Sequence, residues 1–444
     1  MIKKSILFSL ALALFATSVV AQGVASASAE SKASATRREL YIKPDTKCIP
    51  FRIPAIATAA NGDLVTVCDY RFSRQDIGVV PNGRIDLVYR TSRNNGKKWG
   101  KTYLMAEGKG EASPNFLNVA FGDPAIVADR ESSQMMVLSC AGNVSYINGT
   151  RHHHQAIARF YSGDYGNTWS EPVDISESIY EQFDKSPLGP ANSMFVASGR
   201  ILQSRNIKMG RFYRLYCAVL VQPVKGSWMN FVLYSDNFGG DWRVLGGVDV
   251  SPIPQRADEA KVEELPDGSV LISSRISGGR QFNIFRYSDV AKGTGEWGTM
   301  AFSGAANNGV ESKTNACNGE VMLLPARRVS DGKDVYLLLQ SVPFGPQRTN
   351  VGIYYKALES EADYASPAKI AADWEGRYQA TTLGSAYSTM SWQKNNRLAF
   401  FFEEETYSTW EGGGYTLVYE SYSLEQITDG KYEYNKRLAK QMGF

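Results

Sequence analysis

Histidine is almost absent from this chain. The 444 residues hold three, His152, His153 and His154, and they are consecutive. Neighbouring residues of an extended segment point to opposite faces, so these three cannot close on one metal ion. A Ser-His-Asp hydrolase or an enzyme with dispersed histidine ligands is therefore nearly excluded. Acid–base chemistry falls to Asp, Glu, Tyr, Lys or Cys. Cysteine is scarce too. Cys48, Cys68, Cys140, Cys217 and Cys317 are odd in number, far apart and without CxxC spacing. That argues against a disulfide framework or a zinc site and for buried free thiols. The net charge is only +3 and no Lys/Arg block stands out, so nucleic acid is not an expected partner. Walker, Rossmann and EF-hand patterns are missing, and the sequence implies no cofactor and no metal. Beyond the N-terminal stretch, no apolar run is long enough to cross a bilayer.

What is present is a large apolar, glycine- and tyrosine-rich chain. It is 43% hydrophobic, with 24 Tyr and 40 Gly, as expected of many short strands joined by tight turns. Lys3 and Lys4 precede an apolar run from Ile6 to Val20, followed by the small residues of Val19-Val20-Ala21. Residues 1–21 read as a signal peptide, the run being short for a membrane span. Residues 22–38, rich in Ala and Ser, read as a disordered leader. A secreted or periplasmic protein is expected. Two glycosylation patterns, Asn143-Val144-Ser145 and Asn148-Gly149-Thr150, are short enough to arise by chance.

From residue 39 onward, short apolar runs alternate with turn dipeptides. Ile53–Thr58 and Leu64–Cys68 flank Asn61-Gly62, and Val262–Leu265 and Val270–Ser273 flank Pro266-Asp267-Gly268. Val321–Leu324 and Val335–Leu339 flank Asp331-Gly332, and Met390–Trp392 and Leu398–Phe402 flank Asn395-Asn396. Each reads as a β-hairpin. A short helix is expected near Ile175–Phe183. Three segments of the form Ser-x-Asp/Asn-x-Gly end at Trp99, Trp169 and Trp242, and a degenerate fourth ends at Trp297. The first three are 70 and 73 residues apart and the fourth follows after 55, a period that suits one four-stranded blade plus a functional loop. The chain is thus expected to be all-β: residues 39–444 form one six-bladed β-propeller.

Two of these motifs resemble those of a known family. Phe51-Arg52-Ile53-Pro54 resembles the RIP motif of bacterial exo-sialidases (neuraminidases). Ser162-Gly163-Asp164-Tyr165-Gly166-Asn167-Thr168-Trp169 resembles their Asp box, with Asn94 and Asn237 replacing the aspartate in the other two copies. Asp boxes support a fold and not a function. The resemblance covers nearly the whole stretch from residue 39 and implies the sialidase-type propeller. It also implies a set of site residues in chain order.

The resemblance gives Arg52, Arg275 and Arg348 the role of holding the substrate carboxylate. Planar, permanently charged guanidiniums suit that task. It makes Tyr387 the nucleophile and Glu259 the base that takes its proton, with Glu263 and Glu264 as nearby competitors. Sialidases are a tyrosine-using exception among glycosidases. A carboxylate nucleophile would be repelled by the substrate's own carboxylate, whereas a neutral phenol is not. Asp76 resembles the acid that protonates the leaving oxygen, with Asp69 as its rival. Arg71 matches a further arginine near the substrate carboxylate, and Asp123 an aspartate of the N-acyl pocket. Glu403 matches the glutamate that braces the first arginine, with Glu404 and Glu405 adjacent.

The expected function is hydrolysis of terminal α-linked sialic acid from sialylated glycans, glycoproteins or glycolipids, with net retention. Trans-sialidase or intramolecular trans-sialidase chemistry is the alternative on the same core. A non-catalytic sialic-acid-binding propeller would not need every catalytic position occupied. A purely structural Asp-box propeller would need none of them.

Overall fold

The structure, a computed structural model, describes residues 36–42, 51–405 and 415–443. The expected signal peptide, most of the leader and Cys48 lie outside the described residues.

Six sheets follow one another along the chain, each a blade, antiparallel except where Gly199–Arg200 adds to Phe121–Ala128 in parallel. Blade one runs through Phe51–Thr58, Leu64–Arg71, Ile85–Ser92 and Tyr103–Ala106. The innermost strands of blades two, four, five and six are Phe121–Ala128, Ala260–Glu264, Val321–Arg328 and Ser385–Trp392, and Ala191–Val196 begins blade three. Many inner and middle strands are buried on both faces, because a blade is covered by neighbours on either side. Leu398–Glu404 is buried throughout. This explains why the chain reads as continuous apolar runs where a half-exposed sheet would alternate. All four expected hairpins form adjacent strand pairs. The expected helix is Ser176–Tyr180, continued by a 3₁₀ turn over Glu181–Phe183. Cys68, Cys140, Cys217 and Cys317 are buried free thiols.

Blade six is completed from the other end of the sequence. Arg38–Tyr41 pairs with Thr416–Tyr422, with Arg38 opposite Tyr419. Arg37, just before this strand, pairs with Glu404 and reaches Glu420 at 2.9 Å. The last residues of the expected leader therefore belong to the folded body.

The Trp-terminated segments link the third and fourth strands of blades one to three. In the second, Asp164 Oδ1 accepts from Ser162 Oγ and from the Asn167 and Thr168 N–H groups, while Oδ2 accepts from Thr168 Oγ1 at 2.7 Å. Asn94 and Asn237 reproduce the core of this with their carbonyl oxygens, accepting from Lys98 N and Asp241 N at 2.8 Å. The amide substitution thus keeps the acceptor that closes the turn. The fourth segment departs from the pattern: Thr294–Trp297 is itself a strand, and Asp289 Oδ1 accepts from Lys292 N in place of the turn contacts of the other three.

Several inner strands are bulged near their N-terminal ends. Register shifts fall between Arg52 and Ala55, between Gly122 and Ala125, and between Ser385 and Ser388. Ile53 and Asp123 each precede a proline and take positive φ, 58° and 55°. Such backbone is costly for a side chain with a Cβ, most of all a β-branched one. The bulges re-aim side chains, and the residues they re-aim meet in one pocket.

Candidate active site

Arg52, Asp76, Asp123, Glu259, Arg275, Arg348 and Tyr387 line a single pocket, with Ile53, Tyr146, Phe195, Leu220 and Asp258. They come from every blade, so the ring is what assembles the site. Arg71 and Glu403, the other two residues expected from sequence, lie directly behind it.

Glu403 sits on a buried middle strand of blade six and is fully enclosed. Its Oε1 accepts from Arg52 Nε at 2.8 Å and from the Ile53 N–H at 2.9 Å, and its Oε2 from the Tyr387 N–H at 3.0 Å. One carboxylate therefore fixes the Arg52 fork, the strained Ile53 backbone and the backbone of Tyr387. Burial alone would raise its pKa, but Arg52 and the two N–H groups hold it below the ordinary carboxylate range. Arg52 is also flanked by rings, its guanidinium 5.4 Å from the Tyr387 centroid and 5.3 Å from that of Tyr415. Glu404, by contrast, pairs with Arg37.

Arg275 is the hub of the opposite wall. Its Nη1 donates to Glu259 Oε2 at 2.5 Å and to the Tyr387 hydroxyl at 3.1 Å. Its Nε lies 3.2 Å from Asp258 Oδ2. Glu259 was expected to meet Tyr387 directly. Among the described residues no hydrogen bond joins them; both converge on one guanidinium nitrogen. Burial, followed by the charge of Glu259, raises the Tyr387 phenol well above its ordinary value, against the pull of Arg275 and Arg348. The resting phenol is therefore protonated. Arg348 stands over the other side of the Tyr387 ring, 5.6 Å from its centroid. Among the described residues no carboxylate pairs with it, leaving its guanidinium to an incoming anion. Glu263 and Glu264 are on the strand Ala260–Glu264 but pair with Arg200 and Arg205 and do not line this pocket.

On the blade-one side, Arg71 is fully buried between two aspartates. Asp69 Oδ2 accepts from its Nε at 2.9 Å, and Asp76 Oδ1 from its Nη1 at 2.6 Å. Asp69 is enclosed and also accepts the Asp123 N–H at 2.9 Å. Asp76 is on a loop, with its side chain 55% exposed. Burial raises Asp76, but Arg71, helped by Arg52 and Arg348, outweighs it and holds the carboxyl below the ordinary value. Burial, then the neighbouring Asp69, pushes Asp123 well above the usual range.

Sequence reasoning missed Asp258, Tyr146, Phe195, Leu220 and Tyr415. Asp258 directly precedes Glu259, and that adjacency was its only signal. Phe195 and Leu220 read as ordinary strand core. Tyr146 lies between the two glycosylation patterns; its ring is 5.3 Å from Phe195 and 5.2 Å from Trp228.

The pocket thus sets three arginines around a buried tyrosine on an all-β propeller. No protein-family model matches the chain. It is 28% identical over 291 residues to a sialidase of Micromonospora viridifaciens, covering 62% of this chain and 41% of that protein. It is 24% identical over 259 residues to a sialidase of Bacteroides fragilis, covering 56% and 43%. The chain thus matches less than half the length of either relative. Among solved structures, the intramolecular trans-sialidase of Ruminococcus gnavus superposes with a TM-score of 0.67 at 16% identity, covering 88% of this chain and 98% of that one. The structural likeness shows the fold, and the sequence similarities support the sialidase family.

Proposed function

We infer that the protein is a retaining exo-α-sialidase that releases terminal sialic acid through a tyrosyl-enzyme intermediate. The observation that carries this reading is the meeting of three arginines at Tyr387: Arg275 on its hydroxyl, and Arg52 and Arg348, the latter without a carboxylate partner among the described residues, beside its ring. Three forks suit one anionic sugar carboxylate, and the phenol is the one nucleophile at their centre. Tyr387 Oη attacks the anomeric carbon as Glu259, held beside it on the same Arg275 nitrogen, takes the phenolic proton onto its carboxylate. Asp76 protonates the glycosidic oxygen, the leaving sugar departs, and Asp76 then activates the water that frees the product. In the unliganded site Asp76 is held ionised. A bound substrate carboxylate offsets the charges of Arg52 and Arg348, two of the groups that keep it so, and raises Asp76 towards its proton-donating form.

Sialylated glycans, glycoproteins or glycolipids are the proposed substrates. Export of the chain, through residues 1–21, belongs to the same proposal. A 3-fluoro-sialosyl fluoride should label the protein covalently, and mass mapping should place the adduct on the peptide containing Tyr387. An adduct elsewhere would overturn the nucleophile. Product analysis from sialyllactose should give α-sialic acid first. An anhydro-sugar or a transfer product would move the reading to an intramolecular trans-sialidase or a trans-sialidase.

A further inference from the structure

Arg275 is doubly occupied before any substrate arrives. Glu259 takes its Nη1 and Asp258 faces its Nε at 3.2 Å. Asp258 is held in place by its neighbours: its Oδ1 accepts the Glu259 N–H at 2.8 Å, and its backbone carbonyl accepts from Asn230 Nδ2 at 2.7 Å. It lines the pocket itself. We propose that Asp258 is a positioning residue that competes, through Arg275, with the substrate carboxylate, and so sets the pH range in which the pocket accepts an anionic sugar. This rests on the sialidase reading.

The charge balance supports it. An ionised Asp258 puts a second anion on the fork that must also hold the substrate's. Once protonated, it leaves the fork in place but removes the repulsion. Burial, then the charge of Glu259, pushes Asp258 up to about 6, against Arg275 and the more distant Arg280. The other titratable or charged groups facing it are Tyr146 and Asp123 from blade two, Arg256 on the preceding turn, and Asp76, Arg52, Arg348 and Tyr387 across the pocket. Asp76 stays ionised throughout this range in the free protein, so it does not produce the same transition.

Asp258→Asn keeps the size and one acceptor oxygen, enough for the Glu259 N–H, but removes the charge facing Arg275. For the wild type, KM for sialyllactose should rise about fivefold between about pH 5 and pH 7.5, the effect of one partly screened charge. In Asp258→Asn the KM should stay flat and match the acid-pH value of the wild type. Calorimetric affinity of the wild type for a 2,3-didehydro sialic acid should weaken over the same range, without reference to any variant. Parallel KM profiles in the two proteins would overturn the proposal, as would a KM raised at every pH in Asp258→Asn, which is the mark of a purely structural role. An unchanging wild-type affinity would do the same. Failure of the sialidase reading is distinguishable: neither protein would turn over sialyllactose or label at Tyr387, and the inference would fall with it.

Discussion

Removing Asp76 and removing Asp69 should have opposite signatures, although both carboxylates touch the same guanidinium. Asp76 is half exposed, and Arg71 keeps Asp69 when Asp76 is gone. Asp76→Ala should therefore fold normally and lose only chemistry. General-acid help contributes about 10²- to 10⁴-fold when the leaving group is poor. A sugar alkoxide is poor, and 4-methylumbelliferone leaves without a proton. The variant should lose about 10²-fold or more in kcat/KM on sialyllactose and much less on the umbelliferyl sialoside. Asp69→Ala strips the enclosed partner from a buried arginine and the acceptor from the Asp123 N–H. Breaking such a pair costs about 3–5 kcal/mol, so this variant should unfold at lower denaturant and lose both activities together. Steady-state rates on both substrates, with a denaturation curve for each variant, test the reasoning. Equal losses on the two substrates for Asp76→Ala would remove it from the acid role, and a selective loss in Asp69→Ala would transfer that role to Asp69.

Glu403→Gln should cost about 3–5 kcal/mol of stability, because Arg52 loses its buried counter-charge; an unchanged urea midpoint would refute this. The gap from wild type should be full above the pKa of an unfolded glutamate and close as pH falls through the depressed value of Glu403, since lowered carboxylates stabilise only while ionised. Asp164→Ala removes the acceptor of one Trp-terminated turn and should cost about 1–2 kcal/mol while leaving kcat/KM unchanged. A change in KM there would mean that the turn reaches the site.

The ring was legible because blades repeat. Hairpin dipeptides and the tryptophan spacing both report a local unit, and a local unit needs no long-range information. The site residues named from motifs did gather, yet their partnerships were less readable. Arg52 and Glu403 lie 351 residues apart and meet only because two blades adjoin. The sharing of Arg275 between Glu259 and Tyr387 is a matter of side-chain direction, which no spacing encodes. Asp258 was passed over because an acid next to an acid offers no periodic signal. The fourth box misled, since a serine, an aspartate and a tryptophan at loose spacing also suit a plain hairpin. The three histidines, informative by their scarcity, stay away from the pocket: His154 stacks on Tyr180, with ring centroids 3.8 Å apart.

The pairing of Arg38–Tyr41 with Thr416–Tyr422 also bears on how the protein reaches its working state. Contacts such as Arg37 to Glu420 close a loop of 383 residues, whereas the main strands of the other blades pair with their neighbours along the chain. Long-range closure is slow relative to local pairing, because most of the chain's freedom must be lost before it is rewarded. Blade six carries both Tyr387 and the Glu403 that anchors its backbone. Refolding from urea should therefore restore tryptophan burial in the early blades before it restores turnover, and the recovery of activity times the moment at which the two ends of the chain meet.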